Sequence, residues 1–136
     1  MASPAILLIE HNEDDANQMD RILRKYRIAN RLAVYPTGDK ALSAMEGVSV
    51  ERVELVLLDC SLTDKPARDV AIRLRGLPGL ETVPVIVCCG TPDEEQQVKQ
   101  WGIPRVISMS KPAGFFKILE CIQKLEMHWQ VFGAKP

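Results

Sequence analysis

ELVLLDCSL, residues 54–62, is the stretch on which the reading of this chain turns. Leu55 to Leu58 form a short apolar run that stops abruptly at Asp59. Such a run, bounded by polar residues, predicts a buried strand. An acid at its carboxyl end is informative, because open α/β sheets bind ligands beyond the carboxyl ends of their strands. Taken alone, Asp59 is as well explained as a strand terminator or a cap. The other strand ends decide.

Working outward, AILLI at residues 5–9 is a second continuous apolar run, and it predicts the first strand. Asn12 then stands as an N-cap before Glu13, Asp14 and Asp15, where the helix dipole favours acids. Ala16, Met19, Leu23 and Tyr26 recur at helical spacing, predicting a helix over 13–26. RLAVY at 31–35 is a weaker strand, followed by a short helix from Thr37 or Gly38 to Glu46. Beyond the 54–62 stretch, residues 60–67 read as a loop, and helix resumes near Arg68 with Val70, Ala71 and Leu74 on one face. VPVIVC at 83–88 is the fourth strand. Thr91, Pro92, Asp93 and Glu94 combine a capping box with proline at the first helical position. The helix they open, to about Trp101, is polar and offers little beyond Val98 and Trp101 to a core, so loose packing is expected. PRVISM at 104–109 is the fifth strand. After Lys111 and Pro112, the residues Phe115, Leu119, Ile122, Leu125 and Trp129 mark a long amphipathic last helix.

Five strands alternating with five helices predict a parallel sheet covered on both faces. With right-handed crossovers, the flavodoxin-like (βα)5 sandwich with strand order 2-1-3-4-5 is a common solution. The composition suits it. The chain has 136 residues, 46% of them apolar and 26% charged, which is enough for one domain with a real core. A net charge of −1 argues against a nucleic-acid surface or a polybasic membrane patch. No apolar run approaches the roughly 20 residues of a membrane span, and the N-terminus lacks the basic start of a signal peptide, so a cytoplasmic protein is expected. Cys60, Cys88, Cys89 and Cys121 show no CxxC spacing and read as reduced thiols. Of the adjacent pair, one is expected in the core and the other facing the pocket.

Glu10 and His11 follow strand one, Asp59 strand three, Cys89 strand four and Lys111 strand five. In the 2-1-3-4-5 order the switch point lies between strands one and three. Glu10 and Asp59 then face each other across the crevice, with Lys111 reaching in from the side. Two carboxylates and a lysine suit a hard divalent cation and a phosphoryl group, and a carboxylate can itself accept the phosphoryl group. The other reading is an acid–lysine ion pair at the end of the sheet.

These residues also carry a family likeness. ILLIEHNEDD resembles the opening of bacterial response-regulator receiver domains, LVLLD their phosphoacceptor strand, VPVIVCCG their fourth strand, and SMSKPAGFFKILECIQKLE their Lys-Pro element and last helix. The resemblance covers nearly the whole chain, in order. It implies that Asp59 is the phosphoacceptor, that Glu10 belongs to a magnesium pocket, that Ser61 offers its backbone carbonyl to the metal, and that Lys111 contacts the phosphoryl group. It further implies a cis Lys111–Pro112 bond, which proline permits at modest cost.

The chain also departs from that pattern. His11 stands where the family carries a carboxylate bound to magnesium, and imidazole suits softer metals such as manganese. Cys89 replaces a threonine or serine, and a thiol is a weak donor. Ser108 replaces an aromatic that swings inward on activation. Thr63 and Ala67 replace a proline and a glycine, and Ala67 is expected to restrict a turn that glycine would make freely.

The resulting expectation is a single receiver domain, residues 1–136, with no effector domain and no classical enzyme activity. It would take a phosphoryl group onto Asp59 from a histidine kinase or phosphotransfer protein, with Mg2+ or Mn2+, and signal to a downstream protein by contact. The alternative is a pseudo-receiver, an interaction module whose pocket no longer uses phosphate. A flavodoxin-like enzyme or flavin carrier is disfavoured by the lack of a phosphate-binding loop after strand one.

Overall fold

The computed structural model describes residues 5–28, 30–46 and 52–111. The expected last helix, its Phe115 to Trp129 stripe, Cys121 and the Lys111–Pro112 bond lie outside the described residues. The rest forms a parallel sheet of β1 (Ala5–Ile9), β2 (Leu32–Tyr35), β3 (Val53–Asp59), β4 (Val85–Cys89) and β5 (Val106–Ser110), in the order β2-β1-β3-β4-β5. Four helices are described: α1 (Glu13–Lys25), α2 (Gly38–Met45), α3 (Ala67–Arg75) and α4 (Pro92–Lys99). The expected flavodoxin-like α/β class and strand order are therefore present. No helix among the described residues is long and apolar enough to cross a membrane.

Strand alternation sorts the core into two layers. Leu7, Ile9, Val56, Leu58, Val85, Val87 and Cys89 turn to one face, where they meet Ala41, Leu42, Val70, Leu74 and Val98 from α2, α3 and α4. Ile6, Leu8, Leu55, Leu57, Ile86, Cys88 and Met109 turn to the other, where they meet Ala16 and Leu23 of α1. β1, β3 and β4 are buried along nearly their whole length, as strands covered on both faces must be.

Several boundaries differ from the sequence reading. β4 begins at Val85 and runs through Cys89, so Cys89 is its last residue rather than the first one past it. The ladder continues there because the Lys111 N–H donates to the Cys89 carbonyl at 2.8 Å. β5 starts at Val106 because Arg105 is in the left-handed region, with φ 57°, which no strand residue adopts. Asp59 closes β3 instead of following it. Ala67 is the first residue of α3 and buried, with no left-handed backbone, so it restricts no turn. α4 stops at Lys99, and Trp101, two residues on, packs half-buried against the core. As its composition suggested, α4 buries only Val98. Tyr26 lies past the end of α1 and is exposed.

The loops that carry the strand ends are tied down locally. Asn12 caps α1, its side chain accepting from the Asp15 N–H at 3.0 Å. At the start of α2 the Thr37 hydroxyl accepts from the Lys40 N–H at 3.1 Å. Asp64, from the β3–α3 loop, accepts the two preceding free donors, Gly38 N–H at 3.0 Å and Asp39 N–H at 2.9 Å. Gly38 is required here for space: a Cβ would lie 2.7 Å from Val70 Cγ2. Thr91 and Glu94 complete the expected capping box of α4.

Candidate functional site at the carboxyl end of the sheet

Register places the three charged residues together. Ile9 pairs with Leu58 across β1 and β3, Asp59 with Cys88 across β3 and β4, and Cys89 with Ser110 across β4 and β5. Glu10, Asp59 and Lys111 thus end at one level. By alternation with Leu8, Leu57 and Met109, they share the α1 face of the sheet. Lys111 Nζ donates to Glu10 Oε1 at 2.6 Å and to Asp59 Oδ1 at 3.1 Å, with Asp15 Oδ2 at 3.4 Å. The two carboxylates are 5% and 2% exposed, so this lysine is the charge that makes their burial tolerable.

His11 joins the cluster. Its Nδ1 lies 2.7 Å from Asp59 Oδ2 and 3.4 Å from Glu10 Oε2. The Ser61 N–H donates to Asp59 Oδ1 at 3.0 Å, and the Asn12 N–H to Glu10 Oε2 at 3.2 Å. Every carboxylate oxygen of Glu10 and Asp59 therefore has a partner.

The two acids do not share their charge evenly. Burial, joined by the hydrogen bond to Asp59, pushes Glu10 up to about 7 against the pull of Lys111. Burial acts to raise Asp59 as well, but the Glu10 hydrogen bond, the Ser61 N–H and Lys111 hold it below its usual value. The shifts thus run in opposite directions, Glu10 upward and Asp59 downward. Lys111 is held above its ordinary value because Glu10 and Asp59 outweigh the effect of its burial. Glu10, His11 and Asp59 each offer one ligand atom, all within 4.8 Å of one another. Two carboxylate oxygens and one imidazole nitrogen form a donor set that suits a divalent cation.

Cys89 is placed differently from expectation. Its side chain is fully buried in the opposite layer. Cys88 is the cysteine on the site's side, lining a cavity of about 120 Å³ with Leu8, Glu10, Asp15, Met109 and Lys111. Burial raises the thiols of Cys88 to about 12 and of Cys89 to about 11, so both stay protonated. Ser108 lies mid-strand in β5.

Asp15 and Glu94, read from the sequence as helix-start acids, also reach the site. Asp15 reaches Lys111, because the cap at Asn12 starts α1 directly above the end of β1. The signal was the run of first-turn acids, which does not say which one turns inward. Glu94 accepts from the Ser61 hydroxyl at 3.4 Å while also closing the α4 capping box. Nothing in the sequence links residues 61 and 94.

The chain is a five-stranded parallel α/β domain with two buried acids and a lysine at the carboxyl end of its sheet. Its fold is that of response-regulator receiver domains. The sequence is 23% identical over 128 residues to the response regulator Rcp1 of Synechocystis sp., covering 91% of this chain and 87% of that protein. The bacteriophytochrome response regulator AtBRR superposes with a TM-score of 0.83 at 24% identity, covering 98% of this chain and all of that one. The Mn(2+)-bound form of Rcp1 gives a TM-score of 0.68 at 22% identity, with 97% of each chain covered. The receiver domain of the sensor histidine kinase PA1611 from Pseudomonas aeruginosa, which has a magnesium ion in its active-site cleft, gives 0.74 at 21% identity, covering 90% of this chain and 97% of that one. No protein-family model matches the sequence.

Proposed function

We propose that this chain is a phosphoryl-accepting receiver domain, with Asp59 the acceptor. The observation that carries the reading is Lys111 Nζ at 2.6 Å from Glu10 and 3.1 Å from Asp59 at the end of the sheet. A carboxylate oxygen of Asp59 attacks phosphorus, and the bond from phosphorus to the donor breaks. In a phosphohistidine the leaving ring nitrogen keeps the electron pair. An acyl phosphate forms on Asp59, and hydrolysis by water restores the carboxylate. Asp59 suits this role because it is held ionised. Lys111 faces the negative charge that the phosphoryl oxygens bring, about −1.5 to −2 at neutral pH.

Glu10, His11 and Asp59, with the Ser61 carbonyl, would hold a divalent cation such as the magnesium or manganese of the related proteins. Bound there, such an ion supplies positive charge against the phosphoryl oxygens. The donor would be a histidine kinase or a phosphotransfer protein, and the output a contact with another protein. Phosphoryl binding by Cys89 would require its thiol to leave the opposite layer.

A phosphorylation-independent interaction module is the second reading. It is favoured by His11, whose Nδ1 closes on Asp59 Oδ2 at 2.7 Å, where most of the family has a metal-binding carboxylate. Intact-mass spectrometry after incubation with acetyl phosphate and either magnesium or manganese separates the two. The proposal expects one base-labile phosphoryl group at Asp59, absent in Asp59→Asn. No label with either ion favours the second reading, and a label that survives in Asp59→Asn removes Asp59 as acceptor.

A further inference from the structure

We infer that the Glu10–His11–Asp59 cluster is selective for borderline transition-metal ions, the manganese-to-nickel class, over magnesium. The inference rests on the proposed cation site and specifies which ions it takes. The ring atom turned into the cluster is Nδ1, 2.7 Å from one carboxylate oxygen and 3.4 Å from another. The three ligand atoms lie within 4.8 Å of one another, so an ion held by both carboxylates also meets this nitrogen. Magnesium demands oxygen donors and gives up water reluctantly, so an imidazole adds little to its binding. Ions from manganese to nickel accept imidazole with increasing affinity.

The charges act in the same direction. Lys111 lies 2.6 Å and 3.1 Å from the two carboxylates and offsets part of their field. A hard ion held by charge alone is weakened by that offset. An ion that also gains a bond from nitrogen depends on the field less.

The test is calorimetric titration of the full chain with magnesium, manganese or nickel chloride, in wild type and in His11→Asp. In wild type, nickel and manganese should each bind at least about tenfold more tightly than magnesium. In His11→Asp, magnesium should tighten and nickel weaken, lowering the nickel-to-magnesium affinity ratio by about tenfold or more. Should His11→Asp fail to fold, His11→Gln serves, with the same ratio expected to fall. Substoichiometric manganese should also broaden the imidazole NMR signals of His11, assigned by their loss in the variants. An unchanged ratio, magnesium binding as tight as nickel in wild type, unbroadened His11 signals, or no metal binding at all would each overturn the inference. Failed phosphorylation with this metal pattern intact would count against the acceptor reading alone.

Discussion

The two faces of the sheet end differently, although the same strands build both. On the α1 face stand Glu10, Asp59 and Lys111, with His11 closing over them. On the other face, one residue away along the same strands, stand Cys60 and Cys89, packed in the apolar layer of α2, α3 and α4. The first half is equipped to hold charge. The second has protonated thiols where a coupling hydroxyl would be needed, with burial raising Cys60 to about 12 and Cys89 to about 11. Ser108 on β5 adds no aromatic gate. Under the proposed function, accepting a charged group and reporting it would be separable, because side chains one residue apart in a strand answer to different layers.

The largest effect of breaking this asymmetry should come from Lys111. Lys111→Ala leaves two buried acids facing each other without a cation, which should cost about 3 kcal/mol in urea unfolding near pH 8. The loss should shrink toward pH 5. Glu10 is raised to about 7, so its protonated form favours the folded state below that value, and this contribution disappears as pH rises through 7. Asp59 is lowered, so its contribution is present above its unfolded value and is lost only in stronger acid. A cost independent of pH between 5 and 8 would show that the acids do not divide their charge as described.

Asp64 tests the loop that carries Asp59 and Ser61. Asp64→Ala frees the Gly38 and Asp39 N–H groups at the start of α2, and it should cost about 1 kcal/mol or less, because the carboxylate is exposed. Thermal unfolding reads this. A drop several times larger would mean that the clamp holds the whole loop and not only the helix end.

The smallest effect is expected at Cys89. Cys89→Thr puts a hydroxyl into an apolar layer, for a loss of about 1 kcal/mol in stability. Affinity for beryllofluoride, measured by calorimetry with a metal present, should stay within about twofold, because a full net hydrogen bond would be worth about 1 kcal/mol. A gain of several-fold would show that position 89 reaches the acceptor pocket after all.

The sheet order was legible because buried parallel strands leave continuous apolar runs, and each strand end carries a polar residue that counts the register. The convergence of Glu10, Asp59 and Lys111 was legible for the same reason. The side on which Cys89 lies was not, because alternation puts Cys88 and Cys89 on opposite faces without saying which face α1 covers. The Asp64–Gly38 and Glu94–Ser61 contacts were hidden because each pair is distant in sequence and no periodicity links its two members. The turn assigned to Ala67 failed because α3 starts one residue earlier than Arg68.

Under the proposed function, the α1 face accepts the phosphoryl group and the opposite face lacks the groups that would report it. Amide hydrogen exchange with and without beryllofluoride, in the presence of manganese, tests it most directly. The expected result is added protection confined to the strand ends, residues 59–62, 89–91 and 108–111, with α4 exchanging as before. Cooperative protection spreading through α4 and the whole of β5 would contradict it, by showing that this receiver fold switches fully without a coupling hydroxyl or an aromatic gate.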